Sequence, residues 1–238
     1  MDTSWLPSWL GPDAVAPLLE AVLEGRAEGP EGGWQEVGPR VWSFPLFSAG
    51  ACERLLEEIA RRRAGSRSTG RNPNSMHAYG TALDDLDLGS FAQDLRRHVV
   101  MPLAGRWFAD LGGGELQGQY GFLAEYGLGA DQELGYHVDD SVVTLNICLG
   151  DDFSGAELYF RGMRCDAHRQ TEATPSENFE LEHVPGTAVL HAGRHRHGVN
   201  PIRRGSRRNL ILWCQSAEGH GATRPCGPWC GWSGLAGR

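Results

Sequence analysis

The spacing of apolar positions along the chain changes character near Gly114. Upstream of it, apolar residues recur at helical intervals. Ser48 followed by AGACERLLEEIARRR predicts a capped helix over 49–63, with Leu55, Leu56 and Ile59 on one face. Phe91, Leu95, Val99, Leu103 and Trp107 predict a second helix over 88–110. Nearer the N-terminus, AVAPLLEAVLEGR (14–26) fits a helix capped near Asp13, provided that Pro17 lies in its first turn. The Gly/Glu/Pro stretch 29–39 reads as a linker and VWSFPLF (41–47) as a strand. Downstream of Gly114 the period becomes two. LQGQYGFLAEY (116–126), SVVTLNICLG (141–150), GAELYFRG (155–162), FELEHV (179–184), GTAVLHAG (186–193) and RNLILWCQS (208–216) predict strands separated by Gly, Asp and Pro turns.

Helices followed by many short strands predict an α+β fold in which a β-sandwich or jelly roll carries the site. The pattern divides the chain into a helical appendage and linker (1–38), a main domain (39–216) and a C-terminal tail (217–238). At 238 residues the chain suits one domain with a substantial core. No apolar run approaches the ~20 residues that span a bilayer. The N-terminal MDTSWLPSWLGPD lacks a basic region before an apolar stretch, so a cytoplasmic location is expected.

A net charge of −8 argues against general nucleic-acid binding. The positive side chains are all arginine, and they concentrate between Arg194 and Arg208. That segment is either a solvated loop and strand edge or a positive rim for an anionic cosubstrate or acidic substrate. The six cysteines show no paired framework, so free thiols are expected. Cys214, His220, Cys226 and Cys230 have the donor types of a zinc site, although their spacing is irregular.

The chemistry concentrates in His137, Asp139 and His197. Two imidazoles and one carboxylate are the ligand set of a non-haem Fe(II) site with an open face. Residues two apart on a strand point the same way, so His137 and Asp139 can share a metal, and His197 must arrive from a later strand. An isolated H-x-D is a weak signal. The spacing after His197 is stronger: Pro201 at +4, Gly205 at +8, Arg207 at +10 and Trp213 at +16. Arg207 lies near the start of an apolar strand, and its planar fork matches a carboxylate by two parallel hydrogen bonds.

These segments resemble the Fe(II)- and 2-oxoglutarate-dependent oxygenases, in particular the prolyl and lysyl hydroxylase branch. HVDDSVVTLNICL (137–149) is similar to the first metal motif of the lysyl hydroxylases. GTAVLHAGRHRH (186–197) through Arg207 is similar to their second motif, with a gap about two residues shorter. RNPNSMHAYG (71–80) followed by LDDL (83–86) resembles the 2-oxoglutarate- and iron-dependent oxygenase domain-containing proteins of animals and plants.

The resemblance implies a double-stranded β-helix (jelly-roll) core with supporting N-terminal helices. It implies Fe(II) on His137, Asp139 and His197, with 2-oxoglutarate as cosubstrate held at its far carboxylate by Arg207 and with O2 as oxidant. Ascorbate is a further candidate cofactor. The implied reaction hydroxylates an unactivated C–H bond and releases succinate and CO2.

Tyr126 sits where the family places a tyrosine near 2-oxoglutarate. Thr144 and Asn146 share a strand face; if that face is interior, the cosubstrate can supply the partners that buried polar groups need. Asn209 shares a face with Arg207 and is a candidate supporting residue. Either His195 or His197 has the right strand parity; the +10 arginine selects His197 and leaves His191 and His195 as lining residues. Tyr136 should point away from the site and pack. His77 lies in a loop that either closes over substrate or is a structural turn held by Asn and Gly.

The expected substrate is an amino-acid side chain (Lys/Pro-like) of a peptide, a protein or a free amino acid. A small molecule in natural-product tailoring is the alternative. Nucleic acid and membrane are not expected partners, and the oligomeric state is not legible. A nucleic-acid demethylase of the same superfamily carries a second arginine six residues after the first, where this chain has Trp213. A halogenase lacks the carboxylate that Asp139 supplies. A catalytically silent β-sandwich remains the reading from a different class.

Overall fold

The computed structural model describes residues 3–17, 19–26, 33–65, 72–150, 152–217 and 226–232. Arg71 and His220 therefore lie outside the described residues, as do parts of the predicted 29–39 linker and of the loop before Asn72.

The N-terminal helix is shorter than the pattern predicts. Helix α1 spans only Leu19–Glu24. Residue Val15 instead bridges Phe47, and the Ala16 N–H donates to the Leu46 carbonyl at 2.9 Å. The cause is Pro17, which biases Ala16 toward extended backbone. Asp13 pairs with Arg54 at 2.7 Å. Residues Leu10, Ala14, Leu19 and Val22 are buried in the main core.

The second half of the predicted linker is a strand, β1 (Gln35–Gly38), hairpinned to β2 (Val41–Pro45). Arg40 closes the turn at φ 59°, and its N–H donates to Glu36 Oε1 at 2.8 Å. Helix α2 (Ala49–Gly65) starts as expected: the Ala51 N–H donates to Ser48 Oγ at 3.2 Å. Its buried face is Ala51, Cys52, Leu55 and Ile59, while Leu56 is only half-buried. After β3 (Gly80–Ala82) the predicted 88–110 helix appears as α3 (Gly89–Leu95), a π-type segment over Arg96–Val100, and α4 (Met101–Trp107). Pro102 has no N–H to give the His98 carbonyl, and the widened turn absorbs that mismatch.

The strands that follow are β4 (Leu116–Gly127), β5 (Leu134–His137), β6 (Val143–Gly150), β7 (Phe153–Gly155), β8 (Leu158–Met163), β9 (Asn178–Leu181), β10 (Thr187–Ala192), β11 (His195–Val199) and β12 (Ile202–Ser216). The predicted 155–162 strand is split between β7 and β8 because Gly155 and Ala156 both take positive φ. Among the described residues these strands form two antiparallel sheets. The larger runs β1-β2-β10-β6-β12-β4-β3, with β7 beside β12; the smaller runs β5-β11-β8-β9.

Alternation on β12 sorts two cores. Leu210, Leu212 and Cys214 face the same way as Leu145, Ile147 and Leu190 and bury against α2, α3 and α4. Their neighbours Arg207, Asn209, Ile211 and Trp213 face the smaller sheet. They lie opposite Tyr126, Ala124, Phe122 and Tyr120 of β4. On the β6 side, Asn209, Ile211 and Trp213 lie opposite Cys148, Asn146 and Thr144. This is an α+β jelly roll, the double-stranded β-helix architecture, with the helices supporting the outer face of the larger sheet. The interior face between the sheets is where its polar residues converge. Among the described residues no helix is long and apolar enough to cross a membrane.

Candidate metal and cosubstrate site

His137 ends β5 directly opposite His197 on β11, and their ring centroids are 4.2 Å apart. Asp139 does not continue the strand. It lies just beyond the end of β5, and its N–H donates to the Gly193 carbonyl at 2.9 Å. The shared direction of His137 and Asp139 is thus set by a turn tied to β10, not by strand parity. The carboxylate comes within 3.4 Å of His137 Nε2 and 3.7 Å of His197 Nε2. One donor atom from each of the three residues falls within 4.8 Å of the others.

Backbone carbonyls fix the tautomers. His137 Nδ1–H donates to the Gly135 carbonyl and His197 Nδ1–H to the His195 carbonyl, each at 2.8 Å. A carbonyl only accepts, so both Nε2 lone pairs face Asp139, the arrangement a metal-ligating histidine needs. His195 fails the same test. Its Nε2–H donates to the Pro39 carbonyl at 3.1 Å, so it points away from the cluster. A third imidazole faces the carboxylate: His191 Nε2 is 3.8 Å from Asp139 Oδ2.

The electrostatics favour a cation. Burial opposes charge on Asp139, but His197, His137 and His191 together hold its carboxyl below the ordinary range. Burial keeps His197 well below its usual pKa, and so neutral. Burial also disfavours charge on His137, where the Asp139 carboxylate outweighs it and raises the pKa.

Thr144 and Asn146 do face the interior, and both are partnered by protein. The Thr144 hydroxyl donates to Asp139 Oδ2 at 2.6 Å and meets Ser141 Oγ at 2.8 Å. Asn146 Oδ1 accepts from Asn209 Nδ2. Asn209 Oδ1 in turn accepts from Arg207 Nε at 2.8 Å. One position of β6 therefore supports the triad and the other supports the residue that holds the arginine.

Arg207 lies in the middle of β12 rather than near its start, and it is 0% exposed. Its hydrogen-bond acceptors are neutral: Asn209, the Ala156 carbonyl, His183 Nδ1 at 3.0 Å and the Cys148 thiol. Tyr126 and Phe153 flank the guanidinium at 5.7 and 5.8 Å. Among the described residues no carboxylate forms an ion pair with it. A buried cation whose partners are all neutral calls for an anion.

His183 was not legible as a site residue. It follows β9 as a single histidine in a polar stretch, and only the fold turns it under Arg207. Its Nε2–H donates to the Thr187 carbonyl at 3.1 Å, which leaves Nδ1 to accept from Arg207 and Asn209. Burial, with Arg207 adding to it, holds His183 well below its usual pKa and neutral.

The 72–80 loop is an Asn-held turn that also covers the site. Asn74 Oδ1 accepts the N–H groups of Met76 and His77 and the His77 Nδ1–H. His77 Nε2 then accepts from the Tyr126 hydroxyl at 3.1 Å. Gly80 sits at φ 139°, where a Cβ would collide with the Leu123 carbonyl. Burial pushes His77 down to about 4 and raises Tyr126.

Other expectations fall differently. Tyr136 does not pack in a core; it is 51% exposed, with Arg196 over its ring at 5.6 Å. The basic 194–208 segment is not a free positive rim. Arg194, Arg203 and Arg204 pair with Asp166, Glu157 and Asp152, and Arg196 is buried against the carbonyls of residues 161, 162 and 171. Cys214 is buried in the core on the helix face of β12, and the donors that gather with Cys226 and Cys230 do not include it. Its proposed companion His220 lies outside the described residues.

Residues 13–113 match the OGFOD2-like domain. The Arabidopsis thaliana 2-oxoglutarate and iron-dependent oxygenase domain-containing protein ICU11 is 44% identical over 199 residues, covering 81% of this chain and 50% of that protein. Human procollagen-lysine,2-oxoglutarate 5-dioxygenase 2 is 28% identical over 71% of this chain and 22% of that protein. A Trichoplax adhaerens prolyl hydroxylase, solved with a hypoxia inducible factor peptide fragment, shares the fold (TM-score 0.52) at 13% identity, over 84% of this chain and 90% of that one. The chain spans about half the length of ICU11. The relatives' names specify 2-oxoglutarate and iron, which the His137/Asp139/His197 cluster and buried Arg207 fit by donor type and charge. By fold and by most of its own length, the chain is a homologue of the 2-oxoglutarate and iron-dependent oxygenase domain-containing proteins.

Proposed function

We propose that the chain is an Fe(II)- and 2-oxoglutarate-dependent dioxygenase that hydroxylates an unactivated C–H bond on an amino-acid side chain. The side chain is Lys- or Pro-like and belongs to a peptide, a protein or a free amino acid. The observation that carries the activity is the pair of histidines whose Nδ1–H groups are tied to carbonyls while both Nε2 atoms face Asp139. The substrate class rests on the lysine hydroxylase relative and on the half-exposed Tyr136 and Val138 on either side of His137.

In this reading His137, Asp139 and His197 hold the iron. Bound iron, 2-oxoglutarate and O2 supply the oxidising power, with succinate and CO2 as coproducts. Arg207 takes the far carboxylate of 2-oxoglutarate. Asn209 and His183 hold the guanidinium in place. Thr144 orients Asp139, and Asn146 orients Asn209. Tyr126, hydrogen-bonded to His77, closes the interior under the 72–80 loop and limits water at the reacting centre. Phe160, stacked on His197 at 5.7 Å, adds an apolar wall.

The test is succinate formation by the whole chain with Fe(II), O2 and 2-oxoglutarate, followed by a screen of lysyl and prolyl peptides. Turnover of 2-oxoglutarate that peptide accelerates is the expected result. A chain that binds neither Fe(II) nor 2-oxoglutarate is a silent β-sandwich, and the reading fails.

A further inference from the structure

A second cluster of metal donors lies outside the triad. Cys165 and His168 belong to the turn that leaves β8, and Cys226 and Cys230 belong to the C-terminal segment. His168 Nδ1 is 3.2 Å from Cys165 Sγ, 3.5 Å from Cys226 Sγ and 3.7 Å from Cys230 Sγ. All four donor atoms lie within 4.8 Å of one another. A tetrahedral zinc ion with Zn–S near 2.3 Å and Zn–N near 2.05 Å requires N···S edges of about 3.6 Å, and the three distances straddle that value. The three thiols are free rather than bridged. The Cys165 N–H also donates to Cys230 Sγ at 3.4 Å, a contact that a thiolate ligand attracts.

We propose that Cys165, His168, Cys226 and Cys230 form a structural zinc site that clamps the C-terminal segment to the end of β8. Four protein donors close the coordination sphere, so the site is structural rather than catalytic. The thiolate-rich set selects zinc, whereas the His/Asp set of the triad suits iron. The spacings, Cys-x2-His and Cys-x3-Cys, form two short arms joined by a long excursion through the sheet. Sequence spacing pointed to Cys226 and Cys230 but paired them with Cys214 and His220, because only the fold carries the β8 turn to the tail.

The neighbourhood shows what the clamp fixes. The Gly231 N–H donates to the Met163 carbonyl at 3.0 Å, and the Trp232 ring lies against His168, tilted by 31° with centroids 5.4 Å apart. Gly231 lies directly on the buried Arg164–Glu177 pair, where any Cβ would collide with Glu177. The same 164–177 segment accepts Arg196 at the Thr171 carbonyl, 2.6 Å away, and Arg196 is the residue next to His197. The zinc site thus braces the strand that presents His197. This inference stands independently of the oxygenase reading.

The experiment uses the whole chain without a histidine tag, freed of iron by mild chelation. Metal analysis should find one zinc per chain, retained in His137→Ala and lost in Cys226→Ser and Cys230→Ser. Cobalt in its place should give sulfur-to-cobalt charge-transfer absorption. If the serine variants fail to fold, the native chain still decides the matter. Cys226 is exposed, so it should resist alkylation with zinc bound and react readily once a strong chelator removes it. A chain that takes up neither zinc nor cobalt, zinc that leaves with His137→Ala, a disulfide among the three cysteines in the native chain, or equal alkylation of Cys226 with and without zinc each overturns the proposal.

Discussion

Arg207 donates to His183 Nδ1 at 3.0 Å in a contact from which water is excluded. The imidazole is neutral there, because Nε2 holds its proton against the Thr187 carbonyl. It therefore orients the guanidinium without neutralising it, and the positive charge stays available to an anion. Replacing His183 with Ala leaves N–H groups of Arg207 and Asn209 without an acceptor, a cost of about 1–3 kcal/mol. The expected outcome is roughly tenfold weaker 2-oxoglutarate binding by calorimetry with Fe(II) affinity unchanged, taking about 1.4 kcal/mol per tenfold. Arg207→Ala should weaken it further. Unchanged affinity in both variants removes 2-oxoglutarate from this pocket.

A second prediction separates the histidines of β11. His197→Ala removes a lone pair aimed at Asp139, so Fe(II) binding and succinate formation should both be lost. His195→Ala should lower stability yet keep Fe(II) binding, because His195 Nε2 is spent on the Pro39 carbonyl. Thr144→Val keeps the shape but removes the hydroxyl on Asp139 Oδ2. Loss of such an outer partner costs on the order of 10–100-fold in metal affinity. Equal effects of the His195 and His197 changes on Fe(II) binding sink the tautomer argument.

These residues also show where sequence reasoning reached and where it stopped. Strand alternation placed Thr144 with Asn146 and Arg207 with Asn209, since period two is local and survives folding. The cap at Ser48 is equally local. What failed was long-range or depended on one special residue. Pro17 turned a helical pattern into extended chain. Asp139 left its strand at a turn anchored to β10. His183 and Cys165 carry no local signal, and each matters only because the sheets bring it to a distant partner. For the arginines between 194 and 208 a solvated edge and a positive rim stayed equally open, because sequence shows their charge but hides the acids that meet them.

The Arg164–Glu177 pair, which lies under the C-terminal segment at Gly231, offers a stability test. The guanidinium meets both carboxylate oxygens at 2.6 and 2.8 Å, and Arg164 is 3% exposed. Removing one partner of a buried pair typically costs 3–5 kcal/mol, because the other charge remains buried. Glu177→Ala should lower the urea midpoint accordingly, while the double change Arg164→Met with Glu177→Leu should recover much of the loss. A single variant as stable as the parent contradicts the burial seen here.

The buried histidines set an acid limit. Burial lowers His77 to about 4 and His195 to about 3, against an ordinary histidine value of 6.5. Between those values and 6.5 the unfolded chain binds protons that the folded chain refuses. Stability therefore rises with pH through this window and is lost as pH falls from 6.5 toward 4. For His77, which is 2% exposed, the full loss is about 3 kcal/mol at about 1.4 kcal/mol per pH unit. His77→Gln removes one such proton, so its urea midpoint should fall less steeply than the parent's between pH 6.5 and 4.5, even if it starts lower at pH 7.5. Parallel curves for the two proteins would show that His77 titrates normally and that the 72–80 loop does not seal it against Tyr126.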